Sequence, residues 1–133
     1  MKAYIIKAYG DASAAELTEF PEPQLRPHDL RIEVVGVGLN PVDYKTRDGM
    51  LKMIFGFALP IVMGNELSGE VIECGAKVKN FKVGDRIVAR VEKDRLGAFA
   101  EQVCIDENVA AFAPQYIPLG DAAALPLAAL TAL

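Results

Sequence analysis

The sequence predicts a mainly β protein with short helices, arranged as a partly open β-barrel. Three observations support this fold class: many short segments are rich in β-branched and aromatic residues, glycine-containing turns separate them, and helical patterns are few and short. The chain has 133 residues, which is the usual size of one domain and is enough to close a single hydrophobic core.

The predicted strands are rich in β-branched and aromatic residues and are bounded by turn residues. They cover residues 2–9, 16–20, 30–38, 66–73, 86–91, 97–105 and 109–113. The segment 30–38 alternates strictly at its start and is apolar on both faces at its end. Such a strand runs from a half-exposed edge of a sheet into its buried centre.

A short helix is predicted directly after that buried strand. Asn40 suits the N-cap, Pro41 suits the first helical position, and Gly49 suits the left-handed residue that ends a helix. One or two turns therefore follow the end of strand 30–38. Polar side chains placed there are expected to face a site rather than the core.

The last segment, 121–133, differs in kind from the rest of the chain. It is rich in alanine and leucine, carries no charge after Asp121, and is interrupted at Pro126. A helix that is apolar all round is buried by something else. We therefore expect residues 1–120 to form the barrel domain and 121–133 to begin a connection to a second domain. Exposed in this chain alone, the helix predicts homo-oligomer formation.

Composition excludes several classes of partner and predicts a location. The net charge is −4 and the basic residues are scattered, so nucleic acid is not an expected partner. There is no leader pattern, and the longest apolar passage, 53–63, is far too short to span a bilayer. These features predict a cytoplasmic protein without membrane contact. Cys74 and Cys104 are interpreted as reduced thiols, and the single histidine, His28, as a surface residue.

Four segments together resemble the medium-chain dehydrogenase/reductase superfamily, in its GroES-like catalytic domain. They are Gly36-Val-Gly-Leu-Asn-Pro-Val-Asp-Tyr-Lys-Thr-Arg-Asp-Gly49, Pro60-Ile-Val-Met-Gly-Asn-Glu-Leu-Ser-Gly-Glu-Val71, Val83-Gly-Asp-Arg-Ile-Val88 and Leu125-Pro-Leu-Ala-Ala-Leu-Thr-Ala132. Their order and spacing match across nearly the whole chain. The branch resembled is that of the zinc-independent quinone oxidoreductases.

The resemblance also implies that no metal is bound. In the alcohol dehydrogenase branch, a cysteine occupies the position of Asn40 and a histidine the position of Asn65. A catalytic zinc ion needs about three ligands from Cys, His or carboxylate. Two amides are weak ligands, and Glu66 alone does not hold the ion. The expected metal content is therefore none.

Without a Lewis acid, the implied activity is hydride transfer from NADPH to a small, hydrophobic, electron-poor acceptor, namely a quinone or an α,β-unsaturated carbonyl. The apolar stretch 50–59 resembles the loop that shapes the substrate pocket, and core filling is the alternative. Two other functions stay open: a zinc-free relative with another acceptor such as an enoyl thioester, and a noncatalytic binding or structural barrel.

The resemblance assigns roles to individual residues. Asn40 and Asp43 correspond to positions that face the nicotinamide and its ribose, although the pair also suits capping and support of the helix. Lys45 and Tyr44 are the candidate catalytic residues, and surface solvation or packing is the alternative for each. Thr131 stands where the family places a threonine beside the nicotinamide ribose, or it bonds a carbonyl one turn back.

No segment of the sequence has the strand, glycine-rich turn and helix that bind a dinucleotide pyrophosphate. The cofactor is thus expected to bind mainly to a nucleotide-binding (Rossmann) domain that is absent here. The chain by itself is expected to show no NADPH turnover.

Overall fold

The computed structural model describes residues 1–54 and 56–132. The strands are β1 (Lys2–Ile6), β2 (Ala15–Glu19), β3 (Asp29–Val37), β4 (Ile61–Val62), β5 (Glu66–Cys74), β6 (Arg86–Arg90), β7 (Gln102–Asp106) and β8 (Ala110–Phe112). The α-helices are α1 (Pro41–Asp48), α2 (Leu119–Ala122) and α3 (Pro126–Ala132). Single 3₁₀ turns at Ala12–Ala14 and Glu107–Val109 precede β2 and β8.

The strands form two antiparallel sheets. A three-stranded sheet has the order β2-β1-β4, and a five-stranded sheet has the order β7-β3-β5-β6-β8. An isolated bridge between Ala3 and Ala100 joins the first strand to the segment before β7. The ladders of the described residues do not close into a complete barrel. The predicted fold class, mainly β with short helices, is confirmed.

The hydrophobic core lies against the inner face of the five-stranded sheet. Alternate residues of β3, β5, β6 and β7 point into it, as the period of two requires. Its buried members are Leu30, Ile32, Leu67, Val71, Ile87, Ala89, Val91, Ala98, Val103 and Ile105. The residues between them on β5 and β6 face the other way, and that outer face carries the site described below.

Helix α1 begins and ends as predicted. Asn40 is the N-cap and has extended backbone geometry, and Pro41 takes the first helical position. The Asp43 side chain accepts a hydrogen bond from the Asn40 backbone N–H at 2.8 Å, which satisfies one of the free donors of the first turn. Gly49 has φ of 86°, the left-handed conformation that favours glycine, and it ends the helix.

The strand predicted at 97–105 begins later, at Gln102. Leu96 and Gly97 have φ values of 54° and 113°, so the chain turns there instead of extending. The first strand ends at Ile6, before the predicted limit, and β4 was not predicted. A strand of two residues is too short to show an alternating pattern.

The terminal segment contains two helices rather than one interrupted helix. Helix α2 ends at Ala122, and Pro126 is the first residue of α3, where its missing N–H costs nothing. Leu125 and Leu130 are 45% and 58% exposed, so the apolar surface of this segment is largely uncovered. Leu133 lies outside the described residues.

A partly buried ion pair stabilises the start of β3. The guanidinium of Arg95 donates to both carboxylate oxygens of Asp29, at 2.9 and 2.8 Å, and Asp29 is 2% exposed. Burial on its own would raise the pKa of Asp29, but the bonds from Arg95 and from the Arg26 backbone outweigh it and lower that pKa. The pair therefore keeps the carboxylate ionised inside the protein.

The two cysteines are free thiols. Cys104 is buried, and burial raises its pKa to about 11; Cys74 is half-buried, and burial raises its pKa as well. His28 is exposed, as predicted. None of the helices in residues 1–54 and 56–132 has the length and apolarity needed to cross a membrane.

Candidate functional site

A cleft of about 640 Å³ opens between the start of α1, the end of β6 and the outer side of α3. Its floor is largely apolar, and an amide, a guanidinium and a hydroxyl group lie around it. Its lining includes Asn40, Pro41, Val42, Arg90, Leu127 and Thr131. An apolar cleft with a few polar groups is the usual form of a small-molecule site.

Glu66 joins the two helices that border the cleft. It is 2% exposed, and its carboxylate accepts two short hydrogen bonds. Asn40 Nδ2 donates to Oε1 at 2.7 Å, and the Leu127 backbone N–H donates to Oε2 at 2.7 Å. The second bond places a negative charge at the start of α3, where the helix dipole favours it. Glu66 therefore fixes α3 relative to α1.

Gly38 provides the space for this carboxylate. A β-carbon at position 38 would stand 1.9 Å from Glu66 Oε1 and 2.5 Å from its carboxyl carbon. The Gly38 N–H also approaches the Glu66 carbonyl oxygen at 3.4 Å. Any side chain at this position would force Glu66 away from Asn40. Close approach, rather than an unusual dihedral angle, explains the glycine.

Asp43 lies under the cleft and does not border it. Asn65 Nδ2 donates to Oδ1 at 2.6 Å, and the Asn40 N–H donates to Oδ2, so both oxygens are engaged. Burial is the largest influence on this carboxyl and raises its pKa. The bonds from Asn40 and Asn65 oppose that shift, and the nearby Glu66 carboxylate adds to it. Asp43 thus positions Asn40 and Asn65 from below.

Arg90 is the cation of the cleft. It is the direct cross-strand partner of Glu66 in the β5–β6 ladder, so both side chains lie on the outer face of the sheet. Arg90 Nη1 donates to the Val91 carbonyl oxygen at 2.7 Å. Burial lowers the pKa of the guanidinium, while the charges of Asp43 and Glu66 act in the opposite direction.

The residues predicted for the site are only partly brought together. Asn40 and Thr131, which are far apart in sequence, line the same cleft, and Asp43 lies directly behind Asn40. Tyr44 is 47% exposed and Lys45 is half-buried, and both lie outside the cleft lining. The catalytic role of Lys45 and Tyr44 and the cofactor roles of the other three residues stay predictions.

Sequence reasoning missed two features of the site. Arg90 was not singled out, although a charged residue at the end of an alternating strand is a signal that could have drawn attention to it. The two hydrogen bonds that Glu66 accepts from Asn40 and Leu127 leave no local pattern in the sequence. Both features depend on which strands pair, and a single sequence does not show pairing.

The loop after α1 does not fill the core. Met53 and Ile54 are 95% and 71% exposed, which contradicts the core-filling interpretation for these residues. They do not border the cleft either. Phe55, which the same interpretation included, lies outside the described residues.

The chain is similar to known oxidoreductases over its whole length. Residues 26–115 match the family described as "Alcohol dehydrogenase GroES-like domain". The chain is 35% identical to the Chloroplast envelope quinone oxidoreductase homolog of Arabidopsis thaliana, covering 100% of this chain and 41% of that protein. It is also 35% identical to the chloroplastic NADPH-dependent alkenal/one oxidoreductase of the same plant, covering 99% of this chain and 36% of that protein.

Among solved structures, the quinone oxidoreductase from Coxiella burnetii superposes with a TM-score of 0.89 at 34% identity, covering 99% of this chain and 43% of that chain. The chain therefore spans about two fifths of the length of the proteins it matches. The superposition confirms the expected GroES-like fold.

The predicted cytoplasmic location is wrong. The two Arabidopsis relatives, which align with 100% and 99% of this chain, carry chloroplast names, and a Danio rerio relative that aligns with 99% of it is named mitochondrial. The prediction rested on the lack of a leader pattern and on ordinary surface composition. Relatives with this same domain work inside organelles, so those properties do not identify a compartment.

Proposed function

Because this chain belongs to the alcohol dehydrogenase GroES-like domain family, we propose that it is the substrate-side domain of a zinc-independent reductase. The complete protein transfers a hydride from NADPH to a quinone or an α,β-unsaturated carbonyl. Residues 1–120 form the barrel domain and 121–133 begin the connection to a nucleotide-binding domain. The single observation that carries the proposal is the engagement of Glu66 by Asn40 and Leu127.

That engagement argues against a catalytic zinc ion. The carboxylates of Glu66 and Asp43 accept bonds on all four of their oxygens from the donors Asn40, Leu127 and Asn65. In the described part of the chain, no three His, Cys, Asp or Glu side chains are grouped to hold a metal ion. A zinc ion would have to displace hydrogen bonds that already satisfy these buried groups.

The cleft residues fit the nicotinamide end of a reduced dinucleotide. The apolar floor of Pro41, Val42 and Leu127 suits a flat ring, and the amide of Asn40 and the hydroxyl of Thr131 suit carboxamide and ribose groups. The described residues include no hydrogen bond from Thr131 to the carbonyl one turn back, which was the alternative role. When bound, NADPH supplies the hydride. The protein residues orient the ring against the acceptor and exclude water.

The relatives' names favour electron-poor acceptors. One is a quinone oxidoreductase homolog and another is an NADPH-dependent alkenal/one oxidoreductase. In such acceptors the charge produced by hydride arrival is delocalised, so hydrogen-bond donors can replace a Lewis acid. An enoyl thioester is the next candidate acceptor, since it shares this electronic property.

The test is an activity screen of the complete protein. NADPH oxidation is followed with quinones, enones and simple ketones, and metal content is measured on the same sample. We expect turnover with quinones or enones, little with unactivated ketones, and no stoichiometric zinc. Zinc bound with ketone reduction would contradict the proposal. A complete protein that is folded but inactive with every acceptor would favour the noncatalytic barrel instead.

The chain by itself is expected to show no saturable NADPH oxidation, since no strand–glycine turn–helix unit for the pyrophosphate lies in its described part.

We also propose that α3 mediates self-association of this chain, because Leu125 and Leu130 present uncovered apolar surface. Analytical sedimentation at increasing protein concentration tests this self-association, and a monomer at every concentration would contradict it.

A further inference from the structure

We propose that Arg90 is a catalytic residue that holds the carbonyl oxygen of an α,β-unsaturated carbonyl while that oxygen becomes negatively charged. The inference rests on the proposed function and adds to it the donor that takes the place of a Lewis acid. The position of the guanidinium, its hydrogen bonds and the charges around it support this role.

Arg90 stands where two apolar surfaces meet. It lines the cleft that contains Asn40 and Thr131, and it also lines a neighbouring groove of about 640 Å³ bordered by Val88 and Leu130. An acceptor with its hydrocarbon part in the groove and its reactive carbons in the cleft would bring its carbonyl group to Arg90. No other Lys or Arg lines the cleft in residues 1–54 and 56–132.

Most N–H donors of the Arg90 guanidinium have no hydrogen-bond partner among the described residues. Only Nη1 makes a hydrogen bond within the described residues, to the Val91 carbonyl oxygen. Glu66 is the direct cross-strand partner and would be the expected ion-pair partner. Its two oxygens already accept hydrogen bonds from Asn40 and Leu127, and none of the salt bridges in the described part of the chain joins Glu66 to Arg90. The Nε and Nη2 donors therefore stay available for a ligand oxygen.

The charges around Arg90 favour an acceptor that binds as a neutral molecule and gains negative charge on its oxygen during the reaction. They favour an acceptor that is already an anion less. Asp43 and Glu66 lie close enough to influence Arg90 electrostatically, so the surroundings already compensate its positive charge. A donor fixed before the reaction, in a partly buried site, stabilises a developing oxyanion without reorganisation. The same donor makes weaker interactions with an uncharged carbonyl oxygen, so its effect appears mainly in the transition state.

Reduction of the acceptor conserves atoms and electrons. The β-carbon of the acceptor gains a C–H bond from hydride, and the π electron pair moves onto the carbonyl oxygen, which Arg90 binds as an enolate. The two electrons come from NADPH, which leaves as NADP⁺. Water then gives a proton to the α-carbon and leaves as hydroxide, while the electron pair on oxygen restores the C=O bond of the saturated carbonyl product. Arg90 keeps its own proton throughout, because a guanidinium does not act as an acid at neutral pH.

The test compares Arg90→Met and Arg90→Lys with the wild type in the complete protein. Removing one oxyanion donor is expected to lower kcat/KM for an enone about 100-fold, with an intermediate loss for lysine, which keeps the charge but not the fork. The NADPH dissociation constant, measured by fluorescence, should not change. Arg86→Met is the matched control, because Arg86 is exposed on the same strand and lies outside the cleft.

A second measurement does not depend on turnover. 4-Nitrophenol is titrated in the presence of the complete protein without NADPH, because its phenolate is a planar conjugated anion like the enolate. In the wild type the bound phenol should ionise at lower pH than the free phenol, and Arg90→Met should abolish the shift. If methionine prevents folding, as judged by circular dichroism, Arg90→Gln provides the same comparison, since it also removes the positive charge.

The outcomes distinguish the proposed reductase function from the proposed role of Arg90. A wild type that is inactive with every acceptor contradicts the proposed function, whereas the nitrophenol titration still tests the anion site. An active wild type whose Arg90→Met variant keeps its rate, or loses NADPH affinity instead, overturns the role of Arg90 alone. A nitrophenol ionisation that is equal in the two proteins overturns it as well.

Discussion

Replacing Glu66 by glutamine changes one oxygen of a buried carboxylate into an NH₂ group while the shape of the side chain is kept. The carboxylate accepts from Asn40 Nδ2 and from the Leu127 N–H, both at 2.7 Å. Glutamine can satisfy one of these donors with its remaining oxygen. The other donor then faces the NH₂ group of glutamine, which is also a donor. One of the two hydrogen bonds through which residue 66 joins α1 and α3 is therefore lost.

The magnitude follows from the contacts that change. A hydrogen bond to a charged group contributes about 1.5–3 kcal/mol, and a buried donor left without a partner costs about 1–3 kcal/mol. Relief of the repulsion between Glu66 and Asp43, which helps to raise the pKa of Asp43, acts in the opposite direction. We expect the free energy of unfolding to fall by about 2 kcal/mol.

Urea unfolding followed by circular dichroism measures this change, because the midpoint falls at constant slope when only stability is altered. Glu70→Gln is the matched control, since Glu70 is exposed on the same strand and surface substitutions usually stay within about 0.5 kcal/mol. If the two variants lose the same small amount of stability, Glu66 does not join the helices as described.

Three further predictions follow from other contacts. Gly38→Ala places a β-carbon 1.9 Å from Glu66 Oε1, so it should destabilise the protein, and by less in the Glu66→Gln background, where the hydrogen bonds that the displacement breaks are already weakened; full additivity of the two unfolding energies would contradict this. Burial raises the pKa of Asp43 above its ordinary value of 3.8, so its contribution to stability is present below pH 3.8 and is lost as pH rises through the folded-state pKa. Compared by urea unfolding from about pH 4 to about pH 7, the wild type should lose stability relative to Asp43→Asn, and a gain would show that the shift has the other sign. Arg95→Met leaves the buried carboxylate of Asp29 with the Arg26 backbone N–H but without its cationic partner, and should cost about 3–5 kcal/mol in unfolding free energy; a near-neutral result would show that Asp29 finds another donor.

Much of the fold is encoded locally and could be predicted. Helix α1 is specified by Asn40, Pro41 and Gly49, each of which acts on its own backbone or on the first turn. The alternation along β6 likewise specifies a strand with one buried face. The start of β7 was misplaced because the backbone N–H groups of Phe99 and Glu101 donate to Met63 and Lys2 rather than to β3. A single sequence does not show such a change of pairing partner within one extended segment.

The site was predicted less completely, for a physical reason. Asn40 and Thr131 were connected only through the family resemblance, because nothing local to either residue shows that α3 returns to the start of α1. The positions of Arg90 and Glu66 depend on the β5–β6 register, and a shift of one residue would turn both side chains to the other face of the sheet.

The strand order has a consequence for synthesis on the ribosome. The central strand β3 lies between β5 and β7, and β7 is made of residues 102–106. A nascent chain that has not reached those residues carries β3 with one open hydrogen-bonding edge, the kind of edge that pairs with other chains. Pairing of this edge of β3 therefore waits until residues 102–106 have been made, and such non-local pairing is slow. Prolonged pausing of translation before residue 102 should favour aggregation over folding.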